Sequence, residues 1–232
     1  MTIPVLMYHS ISNQKDKISV SIQNFKKQME LMNTFGFKGY SLNKINSVNK
    51  GKKFIITFDD GYENIFKYGM PILKKLNFSA TCFIVSKKIG SFNDWDIYQK
   101  NYKKKKLMNN NQIKVWIKNG FEIGSHTMDH YNLQHLTNDQ KKYQIIKPKY
   151  FFKKKFGINI ESFSYPFGSY NNECLKILKR KYKFAVTTKR SRYTKGKFNL
   201  HEIPRVPINS NTTLFKYFIK ISTFYEDIKF KS

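Results

Sequence analysis

Short apolar runs alternate along this chain with longer stretches in which apolar residues recur every three or four positions. That is the pattern of β/α units around a mostly parallel sheet or barrel. The runs predict strands over 3–8, 54–58, 80–85, 121–123, 162–165, 184–186 and 203–206. Helices are predicted between them. Ser21 stands as N-cap of the first, Phe25, Met29 and Met32 fall on its core-facing side, and Gly36 ends it. Others are predicted over 64–76, 112–119, 137–156 and 171–182, and Pro148 is expected to kink or stop the fourth, because proline removes a backbone donor. Residues 91–111, with the run Lys103-Lys104-Lys105-Lys106 and three successive asparagines, read as a long surface loop. Residues 211–221 read as a capped helix rich in aromatics, packed across the open side of the structure. With no internal repeat and no linker, one α/β domain over 1–232 is expected.

Length and composition limit what this scaffold carries. The chain has 232 residues, 40% of them apolar, enough for a substantial core. Lys and Arg number 43 against 15 Asp and Glu, a formal +28, which taken alone favours a polyanionic partner. The lysines, however, are spread along the whole chain and accompanied by over-used Asn, Ile, Phe and Tyr, the bias of an AT-rich coding sequence. No nucleic-acid motif accompanies them, so no nucleic-acid partner is expected. Cys82 and Cys174 are the two cysteines and make no disulfide framework; Cys82 reads as a small core residue. The start, Met1-Thr2-Ile3-Pro4-Val5, lacks the basic region and the apolar length of a signal peptide or membrane span, so a cytoplasmic location is expected.

Chemistry enters at the end of the second strand, where Phe54-Ile55-Ile56-Thr57-Phe58 runs into Asp59-Asp60-Gly61. Adjacent carboxylates closing an apolar strand repel each other and lose hydration, so they call for a cation or water. Some sixty positions later His126 and His130 stand four apart, and on one face of a helical turn both imidazoles reach a single ion. Two histidines and one carboxylate leave open positions, which suits zinc hydrolysis and also non-haem iron. The second carboxylate favours hydrolysis, as a base for water acidified by the ion. The alternative for Asp59 is a cap on the helix that follows.

With the third segment Ser164-Tyr165-Pro166-Phe167-Gly168, these motifs resemble, in order and wording, the polysaccharide deacetylase (NodB-homology) family, the fourth carbohydrate esterase family. The resemblance extends over most of the chain. It implies a distorted barrel of seven or eight β/α units and hydrolysis of an N-acetyl or O-acetyl group on a carbohydrate. It implies a divalent metal, zinc foremost with Co2+, Ni2+ or Mn2+ as alternatives, held by Asp60, His126 and His130, with Asp59 as base and the Phe167 amide facing the oxyanion.

Amide hydrolysis also needs an acid for the leaving nitrogen. The family's Leu-x-Leu-x-His segment near the C-terminus is missing here, which leaves His9 and His201. Barrel enzymes gather catalytic residues at the C-terminal ends of strands; His9 ends one and His201 precedes one, so His9 is expected, as in a permuted branch of the family. The family's arginine beside the catalytic aspartate is also missing, and Arg205 is the best substitute, with a rim salt bridge as the alternative. Trp95 and Tyr165 are expected against the sugar; the alternative for Trp95, and the plainer one, is packing beneath its own loop. His135 is not expected to be a ligand.

The basic aromatic helix at 211–221 could rest on an anionic membrane, suiting a substrate that hangs from a lipid phosphate carrier. Rival readings are a lapsed barrel that only binds glycan, an O-acetyl esterase, a nucleic-acid binder and a glycosidase; the last has no need of a metal triad.

Overall fold

The computed structural model describes residues 2–14, 16–47, 51–98 and 100–230. Eight parallel strands form its main sheet: β1 (Val5–Tyr8), β2 (Lys38–Tyr40), β3 (Lys53–Phe58), β4 (Thr81–Ile84), β5 (Glu122–Ser125), β6 (Ser162–Ser164), β7 (Phe184–Arg190) and β8 (Ile203–Pro207). β1 pairs with β8 on one side and β3 on the other, closing seven of them in the order β1-β8-β7-β6-β5-β4-β3. Every residue of β3 and β4 is buried, as the unbroken apolar runs require when both faces of a parallel sheet are covered.

Register fixes the site. Tyr8 pairs with Phe58, Phe58 with Cys82, Ile84 with Ser125 and Ser125 with Phe163. The next residues along, His9, Asp59 and His126, therefore emerge at the same end of the barrel.

The helices outside are α1 (Ile22–Thr34), α2 (Met70–Lys75), α3 (Asn110–Lys118), α4 (Asn138–Phe156), α5 (Asn172–Lys181), α6 (Leu214–Ser222) and α7 (Tyr225–Lys229). Ser21 caps α1 through the Asn24 amide, and Phe25, Met29 and Met32 face inward, as the spacing predicts. Thr137 and Gln140 form a reciprocal capping box on α4.

Four expectations change. β2 is an unpredicted strand that lies along the first half of β3, with the Gly39 carbonyl accepting from Ser79 N–H. α4 runs through Pro148 without stopping, and the proline is buried on the helix's packed side. The segment 91–111 is no simple surface loop. It folds back through bridges Phe92–Lys106 and Tyr62–Leu107, buries Leu107 and Met108, and walls the barrel mouth. Finally, His126 and His130 lie on no helical turn; they sit in irregular chain after β5. Cys82 and Cys174 are both buried and free. No helix among the described residues is long and apolar enough to cross a membrane.

Candidate active site

At the C-terminal end of the barrel lies a cavity of about 890 Å³. That is ample for a sugar chain. Its floor holds Asp59, Asp60, His126 and His130, and its walls include His9, Trp95, Asp96, Tyr165 and Phe167.

Strand β3 delivers the two carboxylates in different directions because Asp60 takes a left-handed φ of 72°. Gly61 follows, also left-handed, and a Cβ there would lie 2.6 Å from Ile84 Cδ1. The turn therefore requires glycine. Asp60 Oδ1 lies 3.4 Å from Nε2 of both His126 and His130. All three residues are buried, with donor atoms within 4.8 Å of one another. A tetrahedral ion with bonds of about 2.1 Å spaces its ligands by about 3.4 Å. The trio therefore fits a small divalent cation. His126 Nδ1 faces the Ser164 carbonyl at 2.8 Å and donates its hydrogen there, which orients the ring with Nε2 toward Asp60.

Electrostatics agree with that set. Burial pushes the Asp60 carboxyl up, but hydrogen bonds from His126 and His130 outweigh it and hold the group well below the usual range. Burial lowers His130, which favours the neutral ring that a ligand needs, whereas hydrogen bonding to Asp60 and the two carboxylate charges raise His126 against its own burial.

The loop from His126 to His130 is bent by left-handed Thr127 (φ 68°) and His130 (φ 64°). Other groups hold it there. Gln144 on α4 accepts from the Met128 and Asp129 amides at 3.0 Å each and donates to Asp129, while Thr127 Oγ1 accepts from His130 N–H at 2.9 Å. The His130 ring lies against Trp95, stacked at 4.5 Å, and meets Phe167 edge-on at 4.8 Å.

Asp59 has a different neighbour. Arg205 is fully buried and reaches it with two hydrogen bonds, 2.8 Å and 2.7 Å; the guanidinium is also held by the Thr187 carbonyl, Thr57 and Ser164. This is no rim pair. Burial raises the Asp59 carboxyl, but the charge and hydrogen bonds of Arg205 prevail, and the group is held below its ordinary value. Asp59 N–H donates to the Tyr8 carbonyl at 3.0 Å, which sets it beside His9.

Phe167 has a left-handed φ of 59° and is 53% exposed, so its backbone turns at the cavity edge. Gly168 permits the turn, since a Cβ there would overlap Thr188. Of the five non-glycine residues with positive φ among those described, Asp60, Thr127, His130 and Phe167 are all at this site. Such conformations cost about 1–3 kcal/mol each and persist where surrounding contacts impose them.

Tyr165 borders the cavity, yet it is buried, its hydroxyl donates to the His201 carbonyl at 2.9 Å and its ring stacks on Tyr170. His201 bonds the Tyr182 carbonyl and does not line the cavity, and His135 is exposed. Two residues escaped the sequence reading. Asp96 faces the cavity with its carboxyl pushed up to about 6 by burial and by Asp60. Asn93 is buried and folds the wall by accepting from Lys105 N–H at 2.6 Å. Their only signal was proximity to Trp95.

Comparison with known proteins bears on the family and the fold. Residues 46–184, more than half of the chain, match the family model for polysaccharide deacetylase. A putative polysaccharide deacetylase of Bacillus subtilis, YxkH, is 31% identical over 93% of this chain and 75% of its own length. A poly-β-1,6-N-acetyl-D-glucosamine N-deacetylase of Staphylococcus aureus is 26% identical over 93% of this chain and 76% of its own. In fold, the Streptococcus pyogenes deacetylase PplD, solved in complex with acetate, superposes with a TM-score of 0.82 at 24% identity, covering 95% of this chain and 98% of PplD. By the length of the family match and the identity to its relatives, the chain belongs to the polysaccharide deacetylase family.

Proposed function

We propose that this chain is a metal-dependent hydrolase that removes the acetyl group from an N-acetylated amino sugar within a polysaccharide or oligosaccharide. The observation that carries the reading is the division of the two adjacent carboxylates. Asp60 faces the histidine pair at 3.4 Å, and Asp59 is clamped by Arg205 in the same cavity. Asp60, His126 and His130 would hold the ion, most simply zinc, which supplies the Lewis acidity that acidifies water and polarises the acyl carbonyl.

Each remaining step belongs to a residue of the chain. Asp59, kept ionised by Arg205, takes the proton from the attacking water. The Phe167 amide, presented by its left-handed turn, donates to the oxygen that gains charge as the carbonyl becomes tetrahedral. His9, on the neighbouring strand end, gives a proton to the amine nitrogen as the C–N bond breaks. Without that proton the amine is a poor leaving group. Trp95 fixes the His130 ring and lines the cavity where an apolar sugar face can lie. The likeness to a staphylococcal N-deacetylase of a β-1,6-linked N-acetylglucosamine polymer supports nitrogen rather than oxygen as the atom released.

The test pairs turnover with bound metal. Asp59→Asn should keep its ion and lose acetate release by about 100- to 10,000-fold, the range typical of a general base. His126→Ala should lose both. Near-normal turnover in Asp59→Asn would remove Asp59 from its role.

A further inference from the structure

The cavity mouth is flanked by an apolar surface that the hydrolytic site does not use. Five of the fifteen large hydrophobic residues exposed among those described lie within residues 214–228. Phe215 is 73% exposed, Ile228 67% and Phe224 65%. Single exposed apolar residues are ordinary, but a cluster of large ones marks an interaction surface.

The cluster is held in place from beneath. On α6, Tyr217, Lys220 and Ile221 face inward, and Lys220 Nζ reaches the Pro207 carbonyl at 2.7 Å. On α7, fully buried Glu226 takes Arg190, at the mouth end of β7, at 3.0 Å, and Asp227 takes Arg192 at 2.6 Å. Each arginine also lies over a ring of the same segment, Arg190 over Phe230 and Arg192 over Phe224. With these groups packed inward, the pair of helices leaves Phe215, Phe224 and Ile228 exposed, with Lys216 and Lys229 exposed beside them. Ser210 and Asn211, just before α6, line the cavity itself, so this surface borders the entrance.

We propose that this face docks on an anionic lipid bilayer, holding the cavity mouth toward glycan at the membrane surface. Aromatic and aliphatic side chains interleaved with lysines suit the headgroup boundary, where rings enter the apolar layer and lysines meet lipid phosphates. Charge chooses among occupants. A second copy would bring another chain of net +28 against this one, whereas an anionic surface attracts it. The contact stands or falls independently of the chemistry in the cavity.

The test is co-sedimentation of the full chain at about 150 mM salt with vesicles of phosphatidylcholine containing phosphatidylglycerol, or of phosphatidylcholine alone. The chain should pellet with the anionic vesicles and bind the neutral ones about tenfold or more weakly. Phe215→Ser with Ile228→Ser should lose most of that binding while keeping the melting temperature and acetate release from a soluble oligosaccharide. Lys216→Glu with Lys229→Glu, which leaves the apolar residues intact, should weaken it similarly. Absence of pelleting with anionic vesicles would overturn the proposal, as would full retention by both variants. A solution dimer dissolved by the serine substitutions would assign the face to a second copy instead.

Discussion

Asp59 is a buried carboxylate that stays ionised because Arg205 reaches both of its oxygens. Removing one partner of such a pair leaves the other charge uncompensated, so Arg205→Met should cost about 3–5 kcal/mol in urea unfolding. It should also move the acidic limb of the pH–rate profile to higher pH: without the guanidinium, burial raises the Asp59 pKa, and the base is protonated over a wider acidic range. Arg205→Lys keeps a charge but not the fork, and should recover part of both losses. An unchanged limb in Arg205→Met would detach the arginine from the base. Much of this constellation was legible beforehand, because adjacent carboxylates ending an apolar strand have no structural benefit. Arg205 was legible only by elimination, being some 146 positions from its partner. The left-handed backbone at Asp60, Thr127, His130 and Phe167 was not legible at all, since tertiary contacts impose it on residues whose side chains do not favour it.

Strand β5 enters the barrel with Glu122, a partly buried carboxylate at the end opposite the cavity. It accepts from Thr81 on β4 and Ser162 on β6 at 2.5 Å each, and from the Asn43 amide after β2 at 3.0 Å. Burial raises its pKa, and these hydrogen bonds offset only part of the rise. A folded pKa above the unfolded one, about 4.3, means that the folded state holds the extra proton in the window between them. Stability is then full below that window and falls as pH rises through it. Glu122→Gln should remove this dependence: the stability difference, variant minus wild type, should grow in the variant's favour between acid and neutral pH in denaturant titrations. A constant difference would show that Glu122 does not titrate there. Among elements, the long periodic helices and buried strands were legible, whereas β2 was not. Three residues with a glycine at the centre and an exposed lysine first carry no readable alternation. Pro148 does not stop α4, because the propensity rule concerns an isolated helix and here the proline side is packed into the protein. The histidine spacing misled similarly: four positions apart fits a helical turn, but here a bent loop achieves the same convergence.

The barrel as a whole brings Asp60 at the end of β3 together with His126 and His130 in the chain after β5, so an ion held by these three would join segments far apart in sequence. Binding to the folded state alone stabilises by about 2.7 kcal/mol at a hundredfold excess over the dissociation constant. For a chain of this length that raises Tm by about 5–10 °C. Zinc should give this rise in the wild type and in Asp59→Asn, and none in His126→Ala; an equal rise in all three would place the ion elsewhere. The charge of +28 told little about chemistry at this scale, since lysines spread by composition carry no positional information. Order of motifs told far more, because each ends a strand and parallel register brings strand ends together. The central claim is tested most directly by acetate release from N-acetylglucosamine oligosaccharides before chelation, after chelation and after return of a divalent metal. The expected result is release that chelation abolishes and zinc restores; release that persists undiminished through chelation would contradict it.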